Sequence, residues 1–229
     1  MKLKLYFSPG TCARVPLIAL EEAGVPFETA LLKFAIGEHK SPGYLSINPK
    51  GKVPALEVDG RVLTENIAIL RFLASAFPGA RLLPPCKDAF EEASVLADLS
   101  WCASTIHPIV TRIVLPQLFC TTAEDLVRTW EMAVEAIRPH FDLIEKRLET
   151  SPWMLGEWSI VDAFVFWIWD QVITGGFDGG PYRRIADHAT RILLCPSVQR
   201  TMAREREALD WLERSGFGIE LPPPPKEAK

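Results

Sequence analysis

No stretch of this chain approaches the roughly 20 consecutive apolar residues that a membrane span needs. The most apolar run, AFVFWIW at 163–169, is short and flanked by Asp162 and Asp170, so it reads as a buried helix. A signal-peptide plan is missing, since MKLKLYF passes directly into strand-like alternation. The cysteines form no pattern: Cys12, Cys86, Cys102, Cys120 and Cys195 are odd in number and scattered, with no CxxC and no metal-type spacing. A reducing cytoplasm and no bound metal are the expectations. Excess positive charge is lacking too, with 25 Lys and Arg against 29 Asp and Glu, so neither nucleic acid nor a membrane is an expected partner. What remains is a globular composition, 48% hydrophobic and 24% charged, on 229 residues, a length within reach of two domains.

Residues 1–80 change pattern often. KLKLYF alternates as a strand does, and ARVPLIALEEAG reads as a helix closed by Gly24. PFETALL reads as a second strand, followed by a polar segment. VPALEVDGRVLT then reads as two short strands turned at Asp59-Gly60. In NIAILRFLASAF, Ile67, Leu70, Leu73 and Phe77 share one helical face, and Pro78-Gly79 stops it. The order β-α-β, loop, β-β-α predicts a parallel pair extended by antiparallel strands. A Pro-rich connector at 81–88 marks a domain boundary, and 89–218 reads as helical. Pro108 and Pro139 should divide two of its helices, and Thr121 with Glu124 has capping-box spacing. Ser159 and Asp162 repeat that spacing and read as a folding device. Cys102, Cys120 and Cys195 read as core residues, and residues 219–229 as an extended tail.

Four places carry chemistry. Cys12, in FSPGTCARVP, falls at the first turn of the first helix, where unsatisfied N–H groups and the helix dipole favour a thiolate and Arg14 adds positive charge. The other reading of the same thiol is a small buried hydrophobe. Pro54 stands at a strand entrance, and a cis Val53–Pro54 bond there would turn the Val53 backbone toward a peptide-like ligand. Glu65 and Asn66 open a helix whose amides can take a carboxylate, with Asn66 donating and Glu65 accepting from an ammonium group; with Thr64 they can equally be only a cap. His39 and Lys40 form a small cationic pair in a loop, or plain solvated surface. Together these describe a site for a short zwitterionic peptide carrying a thiol.

SPGTCARVPLIALEEAGVPFE, GEHKSPGYLSINPKGKVPAL, LTENIAILRFLASAFP and GEWSIVDAFVFW resemble the cytosolic glutathione transferase superfamily over essentially the whole chain. The spacing from Glu38-His39-Lys40 to Asn48-Pro49 and Val53-Pro54 is the most specific part. The resemblance implies an α/β thioredoxin-like N-terminal domain, an all-α C-terminal domain, a homodimer, and glutathione as co-substrate. It makes Pro54 the family's cis-proline. Cys12 after Pro9-Gly10-Thr11 resembles the bacterial beta class, whose cysteine can form a mixed disulfide with glutathione, and His107 falls near that class's histidine. GEHKSP is closer to the phi and theta classes, which use a serine. The family's Glu/Gln-Ser pair is Glu65-Asn66 here, a departure.

The expected activity is attack of the glutathione thiolate on a hydrophobic or aromatic electrophile, a detoxifying conjugation. Cys12, Thr11, Ser8 or backbone amides would stabilise the sulfur anion. Trp101, Ile106, His107, Val110 and Phe119 would wall the electrophile site between the domains, or belong to the helical core. Monothiol exchange through Cys12, or a non-catalytic binding protein on the same scaffold, are the alternatives.

Overall fold

The computed structural model describes residues 1–218, so the tail expected at 219–229 lies outside the described residues. By contact the chain forms two units, residues 1–83 with 193–218, and residues 84–192.

The first unit is built on four strands: β1 (Leu3–Phe7), β2 (Glu28–Leu31), β3 (Ala55–Val58) and β4 (Arg61–Thr64), in the order β2-β1-β3-β4. β1 runs parallel to β2, with Leu5 opposite Thr29, and antiparallel to β3, with Leu5 opposite Leu56. The parallel pair requires a crossover, which helix α1 (Arg14–Ala23) supplies before ending at Gly24 in the left-handed conformation, φ 63°. β3 and β4 form the hairpin that Asp59-Gly60 predicts. Both residues have positive φ, 48° and 82°, as a two-residue turn matched to strand twist demands. The polar segment is not a plain loop. It holds helix α2 (Pro42–Ile47), begun by Pro42 and by Ser41 Oγ accepting from the Tyr44 N–H at 3.3 Å. α2 inserts Tyr44 against Tyr6, Leu32 and Ala55, closing one face of the sheet. Helix α3 (Asn66–Ala76) follows β4.

In the second unit, α4 (Ala89–Ser100) leads through a π-helical turn at Trp101–Ile106 into α5 (His107–Val114). The division expected at Pro108 is thus present, with the proline in the first turn of α5, where its missing N–H costs no hydrogen bond. The interruption expected at Pro139 is absent: α6 (Ala123–Arg147) passes through it unbroken. Pro139 is exposed, while Val134, Ile137, Phe141 and Ile144 keep one buried stripe on either side of it, so packing holds the helix. The cap of α6 is Thr122 rather than Thr121, its Oγ1 accepting from the Asp125 N–H at 3.1 Å. Helix α7 (Ile160–Thr174) carries the capping box of Ser159 and Asp162, and the buried Asp162 also accepts from the Met154 N–H and meets His188 of α8 (Arg183–Leu193) at 2.9 Å. Cys102 is buried as expected, but Cys120 and Cys195 are only half-buried.

Helix α9 (Pro196–Arg214), expected within the helical region 89–218, packs along α1 and is counted with the sheet. Among the described residues no helix is long and apolar enough to cross a membrane.

Candidate active site

The loop from β1 to α1 makes a tight turn through Gly10, φ 74°. Thr11 closes it: its hydroxyl donates to the Ser8 carbonyl at 2.7 Å and accepts from the Ala13 N–H at 3.3 Å. The Thr11 proton is therefore engaged in the turn, and Ser8 is buried beneath it. Cys12 follows, 8% exposed, its thiol donating to the Val53 carbonyl with Sγ 3.7 Å away. Burial pushes this thiol up to about 12, against the opposing pull of its own backbone amide, the Lys52 charge and the Asn66 amide. The activated thiolate read from the helix start is thus not the state of Cys12, because desolvation outweighs the local donors. Arg14 does not relieve it. Its guanidinium is buried against Glu205 of α9 at 2.7 Å, and the same carboxylate accepts from the Gly10 N–H at 3.0 Å.

Val53 and Pro54 enter β3 through a cis peptide bond, as expected. The turn before them is built by Asn48 and Tyr44, which both donate to the Lys52 carbonyl at 2.7 Å. Across the turn, Asn66 at the start of α3 donates to the Cys12 carbonyl at 3.1 Å. Among the described residues its buried Oδ1 has no hydrogen-bond partner. Glu65 sits at φ 73°, ψ 127°, a region non-glycine residues rarely occupy except where the surroundings force it. Its carboxylate is already ion-paired with Lys50, which also reaches Thr64.

His39 is not half of a cationic pair. It packs at a tilt of 32° against Phe34, ring centroids 4.2 Å apart, and burial together with the Lys40 charge lowers its pKa, leaving the ring neutral near pH 7. Lys40 is exposed and lies against Gly51, where an added Cβ would come within 3.0 Å of its Nζ. The cations of this rim are therefore Lys40, Lys50 and Lys52. The NPKGKVP stretch signals the last two only as lysines flanking a glycine turn, which fixes neither their direction nor their partners.

In the second unit, Ile106 and Val110 are core residues, 0% and 2% exposed, so neither lines a wall. Trp101 donates from Nε1 to His140 Nδ1 at 3.1 Å, and His107 meets Trp167 edge-on at 4.7 Å; both are half-buried. Phe119 is exposed, with the Arg112 guanidinium over its ring.

Comparison with known proteins converges on one family. Residues 1–75 match the glutathione S-transferase N-terminal domain. A glutathione S-transferase of Xanthomonas campestris pv. campestris is 32% identical over 72% of this chain and 79% of its own length. The chain belongs to the glutathione S-transferase family. Other relatives in the family carry different activities: a maleylpyruvate isomerase from Ralstonia sp. is 33% identical over 71% of this chain and 75% of its own length. Among solved structures, a glutathione transferase homologue from Sulfitobacter with glutathione bound superposes with a TM-score of 0.79 at 29% identity, covering 89% of this chain and 98% of that one. In this member of the family the thioredoxin-like sheet unit carries the Cys12 turn, the Val53 backbone and the α3 start together.

Proposed function

We propose that the protein binds glutathione at the Cys12 turn and delivers its thiolate to a hydrophobic or aromatic electrophile. One observation carries this reading: three segments distant in sequence converge on Cys12, with Val53 O 3.7 Å from Sγ and Asn66 Nδ2 3.1 Å from the Cys12 carbonyl. The Val53 N–H and C=O suit the backbone of a short peptide. The buried, unpartnered Asn66 Oδ1 suits an ammonium group, and the α3 amides a carboxylate. Lys40, Lys50 and Lys52 suit a second carboxylate.

Glutathione's thiol loses its proton to solvent before attack, and its sulfur lone pair then forms the new carbon–sulfur bond while the leaving group departs with its bonding electrons. Amides at the start of α1 and the Lys52 charge favour the anion. Cys12 remains a thiol, able to donate a hydrogen bond to that sulfur and poorly suited to attack. Conjugation accordingly ranks above exchange through Cys12. In the helical unit, Trp101, His107 and the exposed Phe119 remain candidates for contact with the electrophile. The proposal includes a homodimer in the cytoplasm.

The Ralstonia isomerase relative favours a second reading on the same site. A thiolate that adds reversibly to an activated double bond permits rotation and then leaves, consuming no glutathione. Calorimetry with glutathione, then an activated aryl halide and a conjugated cis-diacid as substrates, separates these. Conjugation consumes glutathione stoichiometrically and isomerisation does not. Absence of glutathione binding overturns both.

A further inference from the structure

The Lys52 carbonyl accepts two buried side-chain donors at once, Tyr44 Oη and Asn48 Nδ2, each at 2.7 Å. Tyr44 is 3% exposed and Asn48 1%. Asn48 does more than donate there. Its Oδ1 accepts from the Lys50 N–H at 3.1 Å, and its carbonyl accepts from the Gly51 N–H at 2.9 Å. One buried amide thus closes the whole 48–52 turn, and Tyr44 ties that turn to the sheet face through Tyr6 and Ala55. A carbonyl holding two donors cannot rotate without breaking both, and each would be left buried and unsatisfied. The next peptide unit is that of Val53, whose carbonyl faces the Cys12 thiol. The turn also carries Lys50 to Glu65, and Lys52 to where its charge acts on Cys12.

We infer that Asn48 and Tyr44 are positioning residues, a two-donor clamp on the Lys52 carbonyl that fixes the Val53 backbone and the Lys50 and Lys52 cations for ligand binding at the Cys12 turn. The inference rests on the proposed glutathione site for its purpose, but its geometry is a property of the ligand-free protein. Both side chains act through the turn rather than by touching the ligand.

The test uses the full chain and two readouts. Tyr44→Phe removes a single oxygen and keeps the packed ring. Asn48→Asp keeps the acceptor for Lys50 and replaces the donor to Lys52 by a carboxylate oxygen. Tyr6→Phe is the control, a neighbouring buried tyrosine bonded to Glu57 at 2.9 Å and not to the turn. The dissociation constant for glutathione should rise about threefold to tenfold in Tyr44→Phe and further in Asn48→Asp, with kcat at saturating glutathione nearly unchanged. Alkylation of Cys12 by iodoacetamide, resolved by peptide mass spectrometry against exposed Cys86, should quicken in both variants as its carbonyl partner loosens. Tyr6→Phe should lower Tm without moving either readout. Variants that melt earlier yet keep the wild-type dissociation constant and Cys12 labelling rate would overturn the inference. If the wild-type protein fails to bind glutathione, the functional proposal falls, and Cys12 labelling alone still decides the clamp.

Discussion

Cys12 shows how two correct local arguments compete at one atom. A helix start does offer donors to a thiolate, but the thiol is 8% exposed, and loss of hydration dominates. Near pH 7.5, iodoacetamide should therefore label exposed Cys86 at least about tenfold faster than Cys12. Equal labelling would show an ionised Cys12. The same shift links stability to pH. An unfolded thiol titrates near 9 and the folded one near 12, so the unfolded chain releases its proton first. The stabilisation tied to that proton is full below 9 and is lost as pH rises through the folded value. Urea titrations between pH 8 and 10.5 should show a shallower loss in Cys12→Ala than in the wild type. The turn around Cys12 was legible from its residues, although α1 begins at Arg14 rather than at Cys12. Its burial was not, because it is set by Val53 and Asn66, which stand 41 and 54 residues away.

At the scale of elements, paired charges join α1 to α9. Glu21 takes Arg200 at 2.7 Å and also Arg204, while Glu205 takes Arg14 and the Gly10 N–H. Truncating Glu205 to Ala takes one carboxylate partner from the buried Arg14 and should destabilise the chain in urea unfolding, by up to about 3–5 kcal/mol. Glu205→Gln, which keeps an acceptor for Gly10, should cost less. Gly51 is the other element-scale hinge. At φ 57°, with an added Cβ 2.9 Å from the His39 carbonyl, Gly51→Ala should destabilise by about 1–3 kcal/mol and weaken glutathione binding, measured by thermal melts and calorimetry. Elements with their own punctuation could be read directly: Gly24 ends α1, and Asp59-Gly60 makes the hairpin. α2 could not, since six residues hold too little periodicity, and its evident signals, Ser41 and Pro42, read equally as a loop. Pro139 misled for the opposite reason, its local preference being overruled by a stripe of buried side chains.

Across the whole molecule, the sheet unit takes its first and last helices from opposite ends of the described chain, Arg14 and Glu205 standing 191 positions apart. Sequence order suggests that residues 1–83, which hold every element of the proposed glutathione site, form a self-sufficient domain. The packing argues otherwise. Arg14 and Glu21 are 4% and 6% exposed with α9 packed along α1, and a fragment ending at residue 83 would deprive both charges and Gly10 of their α9 partners. Small units bury too little surface to absorb such a loss. Residues 1–83 expressed alone should therefore lack a cooperative thermal transition and a dispersed amide spectrum. Adding residues 193–218 through a flexible linker should restore both. A fragment 1–83 that melts cooperatively would show that the sheet and α3 suffice to hold α1, and that the ion pairs to α9 orient the Cys12 turn rather than fold it.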